Sequence, residues 1–278
     1  MRYTCWCVGW AVLLLLLTGT LIPALLTLFP GRDPFGHAPE LVRRTQPSDL
    51  RCGSKPRFIY FSETVQGNRC INRTRALHPS TLIDVYTPQA AEQYVEQHCP
   101  GSLEAFRILV PWAYKADLFR YCVLYAEGGI YLDDDLWLTK PWYSSAPGQV
   151  LLFEDLVLRD FKGRAYYRDA VWNGAIAACP GSAVLKCALD KATRNVLGRR
   201  QTHALALTGP IVLGSCVSPS SDAAFVGYLA RRRLSVELMS WRGQIAEHVT
   251  VPRDPLAPHY SKFLNGVRVT MSVFKSPL

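Results

Sequence analysis

Two adjacent glycines, Gly128 and Gly129, constrain the chain more than any other pair of residues. Before them, Ala113 to Glu127 sets Leu118, Phe119, Cys122, Val123 and Ala126 at three-to-four spacing, which predicts a helix stopped by Gly128 in the left-handed conformation. Gly129 turns the chain, and Ile130, Tyr131 and Leu132 then form a short run of β-branched and aromatic character that predicts a buried strand. Asp133, Asp134 and Asp135 follow at its carboxyl end, which is where open α/β sheets bind ligands. Three like charges repel one another, so a hard divalent cation is their natural partner. A solvated acidic turn is the other reading. The fence of Tyr131 and Leu132 before the triplet and Leu136, Trp137 and Leu138 after it is unlike a free surface turn.

Upstream, the pattern alternates. Arg57 to Ser62 (RFIYFS) predicts the first strand, Cys70 to His78 a helix, Leu82 to Tyr86 a strand, Gln89 to His98 a helix and Arg107 to Val110 another strand, with Pro79, Pro88 and Pro100 as breaks. Alternating strands and helices imply an α/β domain with a mostly parallel central sheet flanked by helices, beginning near Arg51. Beyond the triplet, Val150 to Phe153 and Val171 to Ala178 are apolar runs, and the polar stretch Arg159 to Asp169 between them suggests a mobile lid. Ser182 to Val196 reads as an amphipathic helix. By turn chemistry alone, Asn173 and Gly174 form a turn. Asp117 and Arg120, three residues apart on the central helix, share one face, as either an ion pair or a common ligand site.

The amino-terminal region carries a membrane signal. Residues 5–29 contain no charged side chain, long enough to span a bilayer core of roughly 30 Å, so residues 1–4 become a tail, 5–29 a signal-anchor, 30–50 a proline-rich stem and 51–278 the catalytic domain. A cleaved signal peptide is the alternative, although the run is long and lacks a clean cleavage site. Only Arg2 precedes the span, so loop charge does not orient it. Asn72, Arg73 and Thr74 form a sequon, with Asn72 as the glycosylation acceptor if this region is luminal. The cysteines show no zinc spacing. In an oxidising compartment some would pair, with Cys122, on the apolar face of the central helix, expected to stay free. The net charge of +9 suits an anionic ligand or membrane, while no nucleic-acid module accompanies it.

The run ADLFRY, the GGIYLDDD after it, and Leu138, Lys140 and Pro141 together resemble glycosyltransferases with a DXD sugar-binding motif, in particular family 32, with its initiating mannosyltransferases and lactosylceramide α-1,4-galactosyltransferase. The resemblance runs from Arg57 to Lys262 and is densest from Trp112 to Trp142. It implies a GT-A type fold and a retaining, metal-dependent transfer of a hexose or N-acetylhexosamine from a UDP- or GDP-sugar to a glycan, glycolipid or glycoprotein. It also implies a type II Golgi membrane protein with a luminal enzyme. Asp133 and Asp135 become the catalytic and metal-binding pair for Mn²⁺ or Mg²⁺, with Asp134, on the other side of an extended backbone, pointing elsewhere or toward the donor. Asp117, Arg120 and Tyr131 become donor-sugar contacts, as do Asn173 and Gly174, which a small-residue strand follows in NGAIAACPGS. Thr208, Gly209 and Pro210 precede a further helix. His259 stands where the family expects a late metal or phosphate contact, but no Trp follows it.

Two other classes stay open. A phosphatase of the DxD type would use Asp133 as a nucleophile, but it wants Thr or Val where Trp137 stands. A membrane-anchored lectin-like protein that binds a sugar nucleotide without turnover fits the missing late Trp. An EF-hand is excluded, since the loop glycine and terminal Glu are absent.

Overall fold

The computed structural model describes residues 57–275, apart from 64–65, 143–149, 156–157, 160–164, 168–169, 219, 222, 232–235, 241–242, 250–263, 266–267 and 270. The expected anchor, the stem and His259 lie outside the described residues. Among the described residues no helix is long and apolar enough to cross a membrane. In chain order the elements are β1 (Arg57–Phe61), α1 (Arg69–Leu77), β2 (Leu82–Tyr86), α2 (Pro88–His98), α3 (Leu103–Ile108), α4 (Trp112–Glu127), β3 (Gly129–Leu132), β4 (Leu136–Leu138) and β5 (Val150–Glu154). There follow β6 (Leu158–Arg159), β7 (Ala165–Tyr167), β8 (Val171–Ala178), α5 (Ala183–Leu197), α6 (Ala204–Leu207), α7 (Pro210–Gly214), β9 (Ala223–Arg231), β10 (Val236–Ser240) and β11 (Gly243–His248). A small pair, β12 (Leu264–Asn265) and β13 (Arg268–Val269), comes last.

One nine-stranded sheet runs in the order β2-β1-β3-β8-β5-β9-β10-β11-β4. The fold is α/β, but the sheet is mixed rather than mostly parallel: β1 pairs in parallel with β2 and β3, and β5 with β9, while the other neighbours are antiparallel. The parallel expectation fails past β5, because β9, β10 and β11 follow one another with no helix between them to carry the chain across. The sheet also curls. β3 and β4 are separated only by the three aspartates, yet they hold the third and ninth places in the sheet, so its far edge folds back to β3.

Alternate residues of β1 explain the two cores. Ile59 and Phe61 pack with α4 and α5, whereas Phe58 and Tyr60 face Leu132, Leu136 and Leu138 and the buried side of α1. The central helix α4 is buried from Tyr114 through Leu124, because layers cover it on more than one side. Gly128 ends it at φ +69°, and a Cβ there would come within 2.7 Å of Ala178 O, so no other residue lets the helix reach β3 beside β8.

Two further expectations are corrected. Residues 103–108 are helical, and Leu109 makes only an isolated bridge to Phe274. Cys122 is not free: it forms a disulfide with Cys99 at the end of α2, and Cys187 pairs with Cys216. The free cysteine among the described residues is Cys70, buried on α1. The described part of the stretch read as a lid pairs as the β6–β7 hairpin.

Candidate functional site

The acidic triplet occupies the tight turn between β3 and β4, closed by Leu136 N–H donating to Asp133 O at 3.2 Å. A different element holds each carboxylate. Asp133 is fixed from α4 and β3, since Arg120 Nη2 lies 3.0 Å from its Oδ1 and the Tyr131 hydroxyl donates to the same oxygen at 3.2 Å. Its N–H donates to Gly174 O in β8 at 2.8 Å. Asp134 turns the other way, its Oδ2 accepting from Ser62 Oγ at 2.7 Å and its carbonyl from Asn68 Nδ2 at 3.0 Å, both from the β1–α1 connection. Asp135 faces β11, with His248 Nδ1 3.4 Å from its Oδ1 and Val249 N–H donating to its carbonyl at 3.0 Å.

Beneath the triplet lies a buried polar cluster. Asp117 accepts from Asn173 Nδ2 at 2.8 Å and from Thr208 Oγ at 2.7 Å, and Arg120 Nη2 lies 3.4 Å from it. Arg120 also donates to the carbonyls of Ala116 and Asn173 and stacks over the Tyr131 ring at 4.5 Å. Asn173 donates a second hydrogen to the Tyr121 hydroxyl at 3.0 Å. One guanidinium thus bridges the deep carboxylate of Asp117 and the first carboxylate of the triplet.

Asn173 and Gly174 sit inside β8, not in a turn. The reason is spatial: a Cβ on Gly174 would fall 2.5 Å from Asp133 Oδ2, so glycine is what allows β8 to pass the carboxylate. Burial raises the Asp133 carboxyl to about 6, Arg120 pulls it down and Asp135 pushes it up. Burial also raises the Asp117 carboxyl, against Arg120 and the hydrogen bonds from Thr208 and Asn173.

The structure therefore gathers Asp117, Arg120, Tyr131, Asp133, Asp135, Asn173 and Gly174 into one site, with Asp134 in the same turn but directed at Ser62. Asn72 is elsewhere, exposed on α1. His248, Ser62 and Asn68 escaped sequence reasoning. Asn68 had a signal, being an Asn just before a helix that it caps through Cys70 and Ile71. His248 had none, because only the curl of the sheet brings β11 to the triplet.

Among the described residues no group of three or more His, Cys, Asp and Glu could hold a metal ion by itself. Two carboxylates with one imidazole alongside suit instead a hard cation that completes its shell with phosphate oxygens and water. Residues 64–153 match the family described as "Glycosyltransferase sugar-binding region containing DXD motif".

Residues 64–153 are thus similar to a glycosyltransferase sugar-binding region.

That region begins in the β1–α1 connection, includes Asp117, Arg120 and the whole triplet, and ends in β5, bearing out the resemblance to family 32. Asn173, Thr208 and His248 lie beyond it. A solved structure titled "PaToxG Glycosyltransferase" is 18% identical with a TM-score of 0.43, over 61% of this chain and 68% of that one. A second, titled as a transferase mutant, is 13% identical with a TM-score of 0.33, over 64% of this chain and 88% of that one. No curated protein matches the chain.

Proposed function

We propose that the protein is a metal-dependent, retaining hexosyltransferase of GT-A type that moves a hexose or N-acetylhexosamine from a UDP- or GDP-sugar to a glycan, glycolipid or glycoprotein acceptor. The observation that carries this reading is the single site at the carboxyl end of β3, where Asp133 and Asp135 stand over the buried Asp117, Arg120 and Asn173 within and beside the sugar-binding region. Asp133 and Asp135 would hold Mn²⁺ or Mg²⁺, with His248 beside Asp135. When bound, such a cation neutralises the charge that develops on the departing diphosphate.

The chain's own groups orient the donor. Asp117 Oδ2 already accepts from Thr208, and its second lone pair remains for a sugar hydroxyl. Arg120 holds Asp133 aligned and favours its ionised form. Retention follows from front-face return, in which the acceptor hydroxyl gives its proton to the leaving diphosphate. The disulfides Cys99–Cys122 and Cys187–Cys216 suit an oxidising lumen, and the uncharged run 5–29 would anchor the enzyme as a type II protein of the Golgi membrane, with Asn72 available to carry a glycan.

The test is a panel of UDP- and GDP-sugars offered to the full-length chain with Mn²⁺, read as release of nucleoside diphosphate. Asp135→Ala lowers that release by on the order of 10²–10³, by analogy with removal of other groups that stabilise developing charge, while circular dichroism stays native. A folded variant with undiminished release removes the role of Asp135.

A further inference from the structure

The middle aspartate is held twice from one side. Ser62, at the end of β1, donates to the carboxylate of Asp134, and Asn68, at the start of α1, donates to its carbonyl. Both donors are buried, at 2% and 4% exposure, so neither bond competes freely with water. Asn68 is itself immobilised, because its Oδ1 accepts from the N–H groups of Cys70 and Ile71 at 2.8 and 3.2 Å. Ser62 is fixed by its own N–H, which donates to Tyr86 O at 3.0 Å and extends the β1–β2 ladder by one residue.

We infer that Asn68 and Ser62 are positioning residues for the cation-binding pair. In a turn of four residues the peptide planes are coupled, so locking the carbonyl and carboxylate of Asp134 on one side sets where its neighbours Asp133 and Asp135 project. The clamp also draws the middle negative charge away from the other two, leaving a pair of carboxylates where an unclamped turn would present three. Asn68 joins two functions in one amide: its oxygen starts α1, and its nitrogen orients the turn. The inference rests on the proposed role of Asp133 and Asp135 in cation binding.

The two functions of the amide can be separated. Asn68→Ser keeps an oxygen that caps a helix about as well as Asn but removes the amide donor to Asp134. Ser62→Ala removes the other hold and caps nothing. Mn²⁺ and then UDP or GDP are titrated into the full-length chain and each variant, with binding read by calorimetry and by the free Mn²⁺ resonance signal, beside a thermal melt. The expected result is a melt close to that of the parent together with Mn²⁺ binding weakened roughly 10- to 100-fold, the usual cost of losing a group that orients a metal ligand. Unchanged Mn²⁺ affinity in both folded variants overturns the positioning role alone. If Asn68→Ser melts early, Ser62→Ala decides by the same criterion. A parent chain that binds neither Mn²⁺ nor nucleotide overturns the cation-binding reading and this inference with it.

Discussion

Asp117 and Asp135 both act on the charge of Asp133, and their surroundings differ in kind. Asp117 is 11% exposed and Arg120 4%, and they are held by Asn173, Thr208 and backbone carbonyls, so the deep half of the site is a closed network of protein partners. Asp135 is 22% exposed and its neighbour His248 29%, so the rim half is a partly solvated pair. A closed network in low dielectric is stiff and costly to break, while a partly hydrated carboxylate can exchange water for a ligand at little cost. Breaking the deep half should therefore cost mainly stability, and breaking the rim half should cost mainly cation binding.

That contrast can be broken by substitution. Arg120→Met leaves the buried Asp117 and the half-buried Asp133 without their cation and should cost roughly 3–5 kcal/mol in denaturant unfolding. A loss below about 1 kcal/mol would mean that the deep network is not closed. Thr208→Val keeps the shape but removes one bond to an ionised group, and a loss of about 1.5–3 kcal/mol is expected from the same measurement. His248→Gln, at the rim, should cost no more than about 1 kcal/mol of stability while weakening Mn²⁺ binding, and calorimetry of both quantities separates the halves.

The mildest effect is a slope. Asp133 titrates near 6 in the folded chain, above the ordinary value of 3.8, so between those values the folded chain holds a proton that the unfolded chain has released. In the absence of metal, the contribution of this group to stability falls as pH rises through that window. Asp133→Asn should remove the slope from a series of melts between pH 4 and about 6. A slope that survives would assign it to another group.

The α4–β3 join was readable because its glycines admit one chain path and its apolar spacing is strictly helical. The strand expected over 107–110 failed because a short apolar run has the same pattern in either conformation, and Leu109 alone was given a partner, by Phe274 from the other end of the domain. Cys122 misled for a related reason: a half-cystine is as buried as a free thiol, and its partner Cys99 lies 23 residues away, at the end of a helix that only tertiary packing brings alongside α4. Asn173 and Gly174 obey local turn preference in isolation, but the need to clear Asp133 overrides it. The turn carrying the triplet was therefore legible, whereas its supports were not, since Ser62, Asn68 and His248 meet it only when the sheet curls.

That curl has a consequence for biosynthesis. A nascent chain translated only as far as Trp142 possesses all three aspartates, yet Asn173, Thr208 and His248 are still to be made. Assembly of the site thus waits until His248 has been made, and a product terminated before that point carries the acidic sequence without the means to organise it.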